Sequence, residues 1–320
     1  MDSRLARAVQ VTPLQTGNYA DCLLAGLSRN PREIPCKYFY DAEGSRLFDA
    51  ICDLPEYYQT RTETALLRRH AGEIAALIGP DVEILEFGAG SLRKVRILLE
   101  ALESPRAYTP LDISGDYLGE VVRVLAADYP ALALRPLVGD FTLPLSIPAL
   151  PGHPRRIGFF PGSTIGNFRP EAAAAALLRR MRGVLKGGGL LVGVDLVKDP
   201  ARLHAAYNDA AGVTAAFNKN LLARANRELG ADFDLDGFAH YAPYNPARQR
   251  IEMYLVSLRR QRVTVAGRRF DFAAGEAVHT EDSHKYTLES FREMAARAGF
   301  CPRAVWTDPE RLFSLHWLES

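Results

Sequence analysis

The sequence predicts a doubly wound α/β domain joined to a second, smaller α+β domain. Three observations carry that prediction. Between about residues 60 and 197, apolar strand-like runs alternate with helical stretches, the rhythm of a parallel sheet covered on both faces. A glycine turn, EFGAGS, stands where the first of those strands should hand over to a helix. The alternation lapses in the first sixty residues and again over 198–285, which places a second domain there.

The elements follow in order. The first sixty residues read as helices and turns, with Pro31, Pro35 and Pro55 as breakers. Residues 62–77 read as an amphipathic helix whose Ala65, Leu66, Ile74 and Leu77 share a buried face, and Gly79-Pro80 stops it. VEILEF (82–87) is the first strand and RKVRILLEALE the next helix. AYTPLDI (107–113) is the second strand, followed by a helix over about 115–127. LRPLVGDF (134–141), RIGFFPG (156–162) and GLLVGVDLV (189–197) supply three more strands. Before the last lies EAAAAALLRRMRGVLKGGG, a helix that Pro170 is placed to start and Gly187 to end. Arg179, Arg180, Arg182 and Lys186 suit its negative C-terminal pole. Further on, GVTAAFNKNLLARANRELG is helical, and RIEMYLVSL and RQRVTVAGRRFDF suit two strands of an antiparallel ribbon. After Tyr286 come a helix over 288–298, Gly299, and then CPRAVWT and FSLHWL as an antiparallel pair closing the sheet edge. The α/β domain is therefore expected over 60–197 and 286–320, and the second domain over 10–59 and 198–285.

Composition narrows the class of protein. A chain of 320 residues, 48% apolar and 24% charged, has the make-up of a globular protein rather than of a disordered or collagen-like one. Lys+Arg 39 against Asp+Glu 38 leaves a net charge of +1, which gives no global attraction to nucleic acid or to an anionic membrane. MDSRLARAVQ lacks the apolar core of a signal peptide, and no apolar run is long enough to span a bilayer. Cys22, Cys36, Cys52 and Cys301 form no CxxC pair and no zinc spacing, so a cytoplasmic protein with unpaired thiols and no metal is expected. The seven scattered histidines, His70, His153, His204, His240, His279, His284 and His316, read mostly as surface or capping residues.

The strand tips point to a ligand. Gly88 and Gly90 let the backbone approach a bound group, beside a helix N-terminus with free N–H donors. Asp112 ends the second strand, where a carboxylate accepts hydrogen bonds from a ribose diol. Asp140-Phe141 closes the next, and pairs an acceptor for an adenine amino group with a ring to cover the base. The dinucleotide fingerprint wants glycine where Arg93 stands, which weighs against an NAD-dependent oxidoreductase. An adenosyl cofactor fits, with S-adenosyl-L-methionine the natural candidate. A non-catalytic sensor of an adenosyl ligand is the remaining alternative.

The substrate side is read from the segment after the fourth strand and from aromatic residues. GSTIGNF (162–168) keeps the floor open at Gly162 and brings a donor and an acceptor at Asn167; a helix cap is the alternative use of that asparagine. Nucleic-acid amino methyltransferases usually carry an Asp/Asn-Pro-Pro-aromatic element there, and Phe160-Pro161-Gly162-Ser163 differs from it. Tyr38, Phe39, Tyr40, Phe48, Tyr57, Tyr58 and Tyr207 are either ordinary core or faces for a methylated ammonium. In HTEDSHKY, Glu281 and Ser283 share one face if the segment is extended, and an exposed strand edge is the alternative.

With those residues in place, the chain resembles the S-adenosylmethionine-dependent histidine Nα-methyltransferases of ergothioneine biosynthesis. KYFYDAEGSRLFDAICDLPEYYQTR, GSTIGN, DLVKD, GVTAAFNKN, RELGADFD, RIEMYL and TEDSHK carry the likeness, from about residue 35 to 285. The resemblance implies a Rossmann-like class I methyltransferase domain and a substrate domain. It puts Gly88, Lys94, Asp112, Asp140 and Phe141 on the cofactor. It puts Asn167 and Tyr207 on the histidine carboxylate, Glu281 and Ser283 on the imidazole, Tyr57 and Met253 along the pocket, and Tyr40 and Phe48 beside the amine. It further implies L-histidine as the substrate, methylated three times in succession to the betaine hercynine, and a monomer with no nucleic-acid or membrane partner is expected beside it. A methyltransferase for another amino acid or biogenic amine on the same scaffold is the nearest alternative.

Overall fold

The computed structural model describes residues 12–13, 18–152, 154–169 and 171–320. A short strand β1 (Thr12–Pro13) precedes helix α1 (Tyr19–Leu27), strand β2 (Arg32–Glu33) and a tight helical turn over Cys36–Phe39. Helices α2 (Ala42–Cys52) and α3 (Tyr58–Ile78) come next. The chain then alternates: β3 (Glu83–Phe87), α4 (Arg93–Ala101), β4 (Ala107–Asp112) and α5 (Gly115–Asp128). β5 (Ala133–Leu134), β6 (Leu137–Val138), β7 (Arg156–Phe160), α6 (Glu171–Leu185) and β8 (Gly189–Asp195) complete that run.

Two helices, α7 (Pro200–Tyr207) and α8 (Val213–Leu229), lead into β9 (Phe238–Tyr241), β10 (Tyr244–Asn245) and β11 (Arg250–Ser257). β12 (Gln261–Val265), β13 (Arg268–Phe272) and β14 (Ala277–His284) follow. α9 (Leu288–Arg297), β15 (Cys301–Thr307) and β16 (Phe313–Glu319) end the chain.

The large sheet has the order β1-β6-β4-β3-β7-β8-β16-β15, with β5 beside β4. It is parallel up to β8, and β16 and β15 are antiparallel. The chain reverses at β3, with β4 on one side and β7 on the other, which is the switch point where open α/β sheets take ligands. A second sheet runs β10-β11-β14-β2, with β9 also on β11. Apolar clusters cover both faces of the large sheet, Phe160, Leu178 and Phe291 on one and Ile84, Phe159 and Trp317 on the other. A separate core of Leu23, Phe39, Phe217, Leu221 and Leu255 lies under the second.

Four expectations change. α3 begins at Tyr58, and its buried face holds Glu63, Leu66, Leu67, Ile74 and Ile78, whereas Ala65 and Leu77 are exposed. LRPLVGDF is not one strand but two paired fragments, since Pro136 has no N–H to give to the ladder. RIEMYLVSL does not pair with RQRVTVAGRRFDF. The latter folds on itself through Ala266 and Gly267, both at positive φ, as a two-residue hairpin turn requires, while β11 lies between β14 on one side and β9 and β10 on the other. His279 and His316 are buried rather than superficial. Pro170 and His153 lie outside the described residues.

The four cysteines are free thiols. Among the described residues no helix is long and apolar enough to cross a membrane, and no cluster of His, Cys, Asp and Glu could hold a metal ion.

Candidate active site

The tips of β3, β4 and β6 open into a cleft of about 500 Å³, lined by Gly88, Gly90, Lys94, Asp112, Asp140 and Phe141 among others. Gly88 sits at φ +74, and a Cβ there would point at the Phe141 ring 3.7 Å away. Phe141 leans edge-on against Phe87 and Phe160, so the base-covering ring is itself held in place. Asp112 is half-buried at the cleft wall. Its Oδ1 accepts the Ser114 N–H at 2.8 Å, and no described residue donates to Oδ2. Desolvation pushes the carboxyl up to about 7. Glu86, deeper in the same wall and hydrogen-bonded by Tyr108, is pushed up to about 8 by burial.

Two of the expected cofactor residues already have protein partners. Asp140 accepts from the Thr142 N–H at 2.9 Å, the Thr142 hydroxyl at 2.5 Å and the Lys37 ammonium at 3.0 Å. Burial alone would raise its carboxyl, and these donors instead hold it below the ordinary range. Lys94 pairs at 2.5 Å with Glu63, which is fully buried and also accepts the Gly162 N–H at 2.9 Å. The adjoining turn is fixed from the other side. A Cβ on Gly166 would lie 2.7 Å from the His284 carbonyl oxygen, so only glycine lets the GSTIGN turn approach β14 this closely.

Beyond Gly162 the cleft narrows into a pocket lined by Tyr40, Phe48, Tyr57, Gly162, Asn167, Tyr207, Met253, Glu281 and Ser283. Tyr40, Phe48, Gly162, Asn167 and Glu281 border both spaces and form the neck between them. Rings line one side: Tyr40 and Phe48 meet edge-on at 5.8 Å, Phe48 and Tyr57 at 6.2 Å, Tyr57 and Tyr207 at 6.4 Å. Burial raises the Tyr40 and Tyr57 phenols well above their ordinary value, so both stay neutral. The opposite wall is set by register. Met253 faces Glu281 and Ile251 faces Ser283 across β11 and β14, which puts Met253, Glu281 and Ser283 on one face. HTEDSHKY is thus a buried strand, not an exposed edge.

Glu281 is only 8% exposed, and among the described residues nothing donates a hydrogen bond to its carboxyl. Burial pushes that group up to about 8, with Lys285 pulling the other way. Asn167 ends the short helical turn Thr164–Asn167, and its amide also has no described partner. A carboxyl and an amide left unpaired at one small pocket make a site waiting for complementary polar groups.

Behind the pocket lies a group of charges that the sequence reading did not single out. Lys285 donates to the Tyr207 hydroxyl at 2.9 Å and to Ser283 Oγ at 2.8 Å, and pairs with Asp195 at 2.8 Å. Asp195 also accepts from the Tyr58 hydroxyl at 2.8 Å and from Lys198 at 2.5 Å. Burial favours a neutral Asp195, but the two ammonium groups outweigh it and hold the carboxyl below its usual range. Desolvation lowers Lys198 to about 8. Glu63 could have been found from sequence, as a carboxylate on the apolar stripe of α3. The Asp195–Lys285 contact could not, because it depends on how the segment after β14 returns to β8.

A parallel run β6-β4-β3-β7-β8 continued by the antiparallel β16 and β15, with a cleft of about 500 Å³ at its switch point, is the architecture of the class I S-adenosylmethionine-dependent methyltransferases. Comparison narrows the class. The model of the family described as "Histidine-specific methyltransferase, SAM-dependent" matches residues 19–320. The chain is 45% identical to the histidine N-alpha-methyltransferase of Mycolicibacterium smegmatis over 91% of both chains. It is 42% identical to that of Mycobacterium tuberculosis, again over 91% of both. Ergothioneine biosynthesis protein 1 of Neurospora crassa is 31% identical across 87% of this chain and 32% of its own length. The chain belongs to the histidine-specific, S-adenosylmethionine-dependent methyltransferase family.

Proposed function

We propose that this enzyme methylates the α-amine of L-histidine three times in succession, giving the trimethylated betaine hercynine for ergothioneine biosynthesis. The observation that carries the reading is the unpaired, buried Glu281 carboxyl that shares one ring-lined pocket with Asn167 and Tyr207 at the neck of the cofactor cleft. An imidazole N–H meets the need of Glu281, and an amino-acid carboxylate meets those of Asn167 and Tyr207.

The residues present fit S-adenosylmethionine. Gly88 and Gly90 admit the backbone-to-ligand approach, Asp112 offers its free oxygen to a ribose diol, and Phe141 and Asp140 flank the place for an adenine. Lys94, which lines the cleft and is paired with Glu63, suits the methionyl carboxylate. When bound, the cofactor supplies a methyl group activated by the adjacent sulfonium. The protein's part is orientation and exclusion of water. Asn167 and Tyr207 take the substrate carboxylate and Glu281 the imidazole, with Ser283, hydrogen-bonded to Tyr207, between those two points and Tyr57 and Met253 as walls. This leaves the amine at the neck, between Tyr40 and Phe48. The neutral Tyr40 hydroxyl there can accept from an amine N–H, which leaves the lone pair free and brings no negative charge to stabilise the protonated amine. As N–H donors are lost and cationic bulk grows, the faces of Tyr40 and Phe48 accommodate the product. Each transfer releases one proton from nitrogen, which passes to solvent.

The domain division belongs to the same proposal, with 60–197 and 286–320 on the cofactor and 198–285 with the described part of 10–59 on the substrate, except that β1 (Thr12–Pro13) pairs with β6 and so joins the cofactor sheet. The enzyme is proposed to act on this small molecule as a cytoplasmic monomer, with no nucleic-acid partner. Mass spectrometry of the products from histidine and labelled methyl donor tests the reaction. Mono-, di- and then trimethylated histidine are expected; a product series that stops at one or two methyl groups contradicts the threefold reaction. A panel of other amino acids and amines, poorer than histidine throughout, is the expected companion result.

A further inference from the structure

The pocket presents a charge problem. Its lining contains one acid, Glu281, and no Lys or Arg, yet the proposed substrate carries a carboxylate into it. An anion buried without a compensating positive charge is strongly disfavoured. The nearest excess of positive charge lies one layer back, where two ammonium groups, Lys198 and Lys285, share the single carboxylate of Asp195. Side chains of all three are nearly or fully inaccessible, at 6%, 0% and 0%. Buried ion pairs of this kind contribute little net stability compared with apolar packing, so stability alone does not account for the cluster.

The hydrogen bonds show where its charge is directed. Lys285 donates to the oxygens of both Tyr207 and Ser283, which themselves lie 2.8 Å apart. With both oxygens accepting from the ammonium, one hydroxyl proton closes the Tyr207–Ser283 bond and the other is left for the pocket. We infer that the Lys285–Asp195–Lys198 cluster is the electrostatic anchor for the substrate carboxylate, acting through the Tyr207 hydroxyl, and so selects amino acids over the corresponding decarboxylated amines. Lys285 is on this account a positioning residue that never touches substrate. The groups facing it are Asp195 on β8, Tyr207 on α7 and Ser283 on β14, with Glu281 the nearest opposing acid. Burial raises the Glu281 carboxyl to about 8 and so favours its neutral form, which does not cancel the excess. This inference rests on the carboxylate lying at Asn167 and Tyr207.

Calorimetric affinities for histidine, histamine and S-adenosylhomocysteine test it, since histamine keeps the imidazole and amine and lacks only the carboxylate. Lys285→Met should weaken histidine roughly ten- to a hundredfold and leave the other two ligands within about twofold, as expected for loss of a charge-assisted link. An equal loss for histidine and S-adenosylhomocysteine, or no loss for histidine, overturns the inference. If Lys285→Met does not fold, Lys198→Met carries the test, because it removes the same excess charge while keeping both hydroxyl contacts. A histidine-only loss of about threefold or more is expected there, and none overturns the inference. Tyr207→Phe separates the two levels of the argument. Equal effects on histidine and histamine would mean that the carboxylate lies elsewhere, whereas a histidine-selective loss in Tyr207→Phe without one in Lys285→Met would reject the cluster alone.

Discussion

The cofactor cleft and the substrate pocket differ in how far the protein satisfies its own polar groups. In the cleft, Asp140 is held by Lys37 and Thr142, Lys94 by Glu63, and one oxygen of Asp112 by Ser114. In the pocket, the Glu281 carboxyl and the Asn167 amide have no described partner. A prepaired site is rigid before its ligand arrives and recognises it chiefly by shape. An unpaired site gains most from the one ligand whose polar groups match, and rejects analogues because they leave its groups buried and unsatisfied. Affinity for the shared methyl donor and selectivity for the acceptor are thus built by different means within one continuous cavity.

That contrast can be broken by mutation. The largest effect is expected from Asp112→Ala, which removes the free oxygen at the cleft wall. Affinity for S-adenosylmethionine should fall about a hundredfold or more, with an unchanged circular dichroism spectrum. Retained affinity would mean that the ribose is held by other groups. Next, Glu281→Ala should weaken histidine by roughly ten- to a hundredfold and S-adenosylmethionine by about twofold at most. Equal losses in two titrations would erase the distinction between the regions.

The smallest effect concerns pH and stability without ligands. Glu281 and Asp112 are acids whose folded-state values, about 8 and about 7, lie above their ordinary 4.5 and 3.8. In that window the folded protein holds protons that the unfolded chain has released, so these groups favour folding at acid pH and disfavour it as pH rises through their folded values. Glu281→Gln should therefore gain thermal stability relative to the parent between about pH 5 and 8, and the gain should level off above that. A constant difference across the range, read by thermal melts, would show that Glu281 is ionised throughout.

How much of this the sequence revealed follows the same division. The strand tips of the cleft come from one stretch of chain, and β3, β4, β7 and β8 are short apolar runs bounded by turns. Their loops, and with them Gly88, Asp112 and Asp140, could be placed by spacing alone. Lys37 could not, because it arrives from outside that stretch, and Glu63, though legible as a carboxylate on the apolar stripe of α3, carries no sign of its pairing with Lys94. The pocket collects residues from α2, α7, β11, β14 and the GSTIGN turn, and only a resemblance joined them in advance. Ribbon pairing was misread because alternation reports that a strand exists and not which neighbour it takes, and the Ala266-Gly267 turn was strong enough to close a hairpin locally. Lys285 and Asp195 were invisible for a related reason: a buried charge pair is set by tertiary approach, and neither residue carries a periodic signal.

A crystal structure with S-adenosylhomocysteine and histidine bound tests the central assignment most directly. The account predicts the ribose on Asp112, the thioether sulfur facing the neck, and the imidazole on Glu281 with the amine between Tyr40 and Phe48. Histidine bound with its amine turned away from the sulfur, or Glu281 left without a ligand contact, would contradict it.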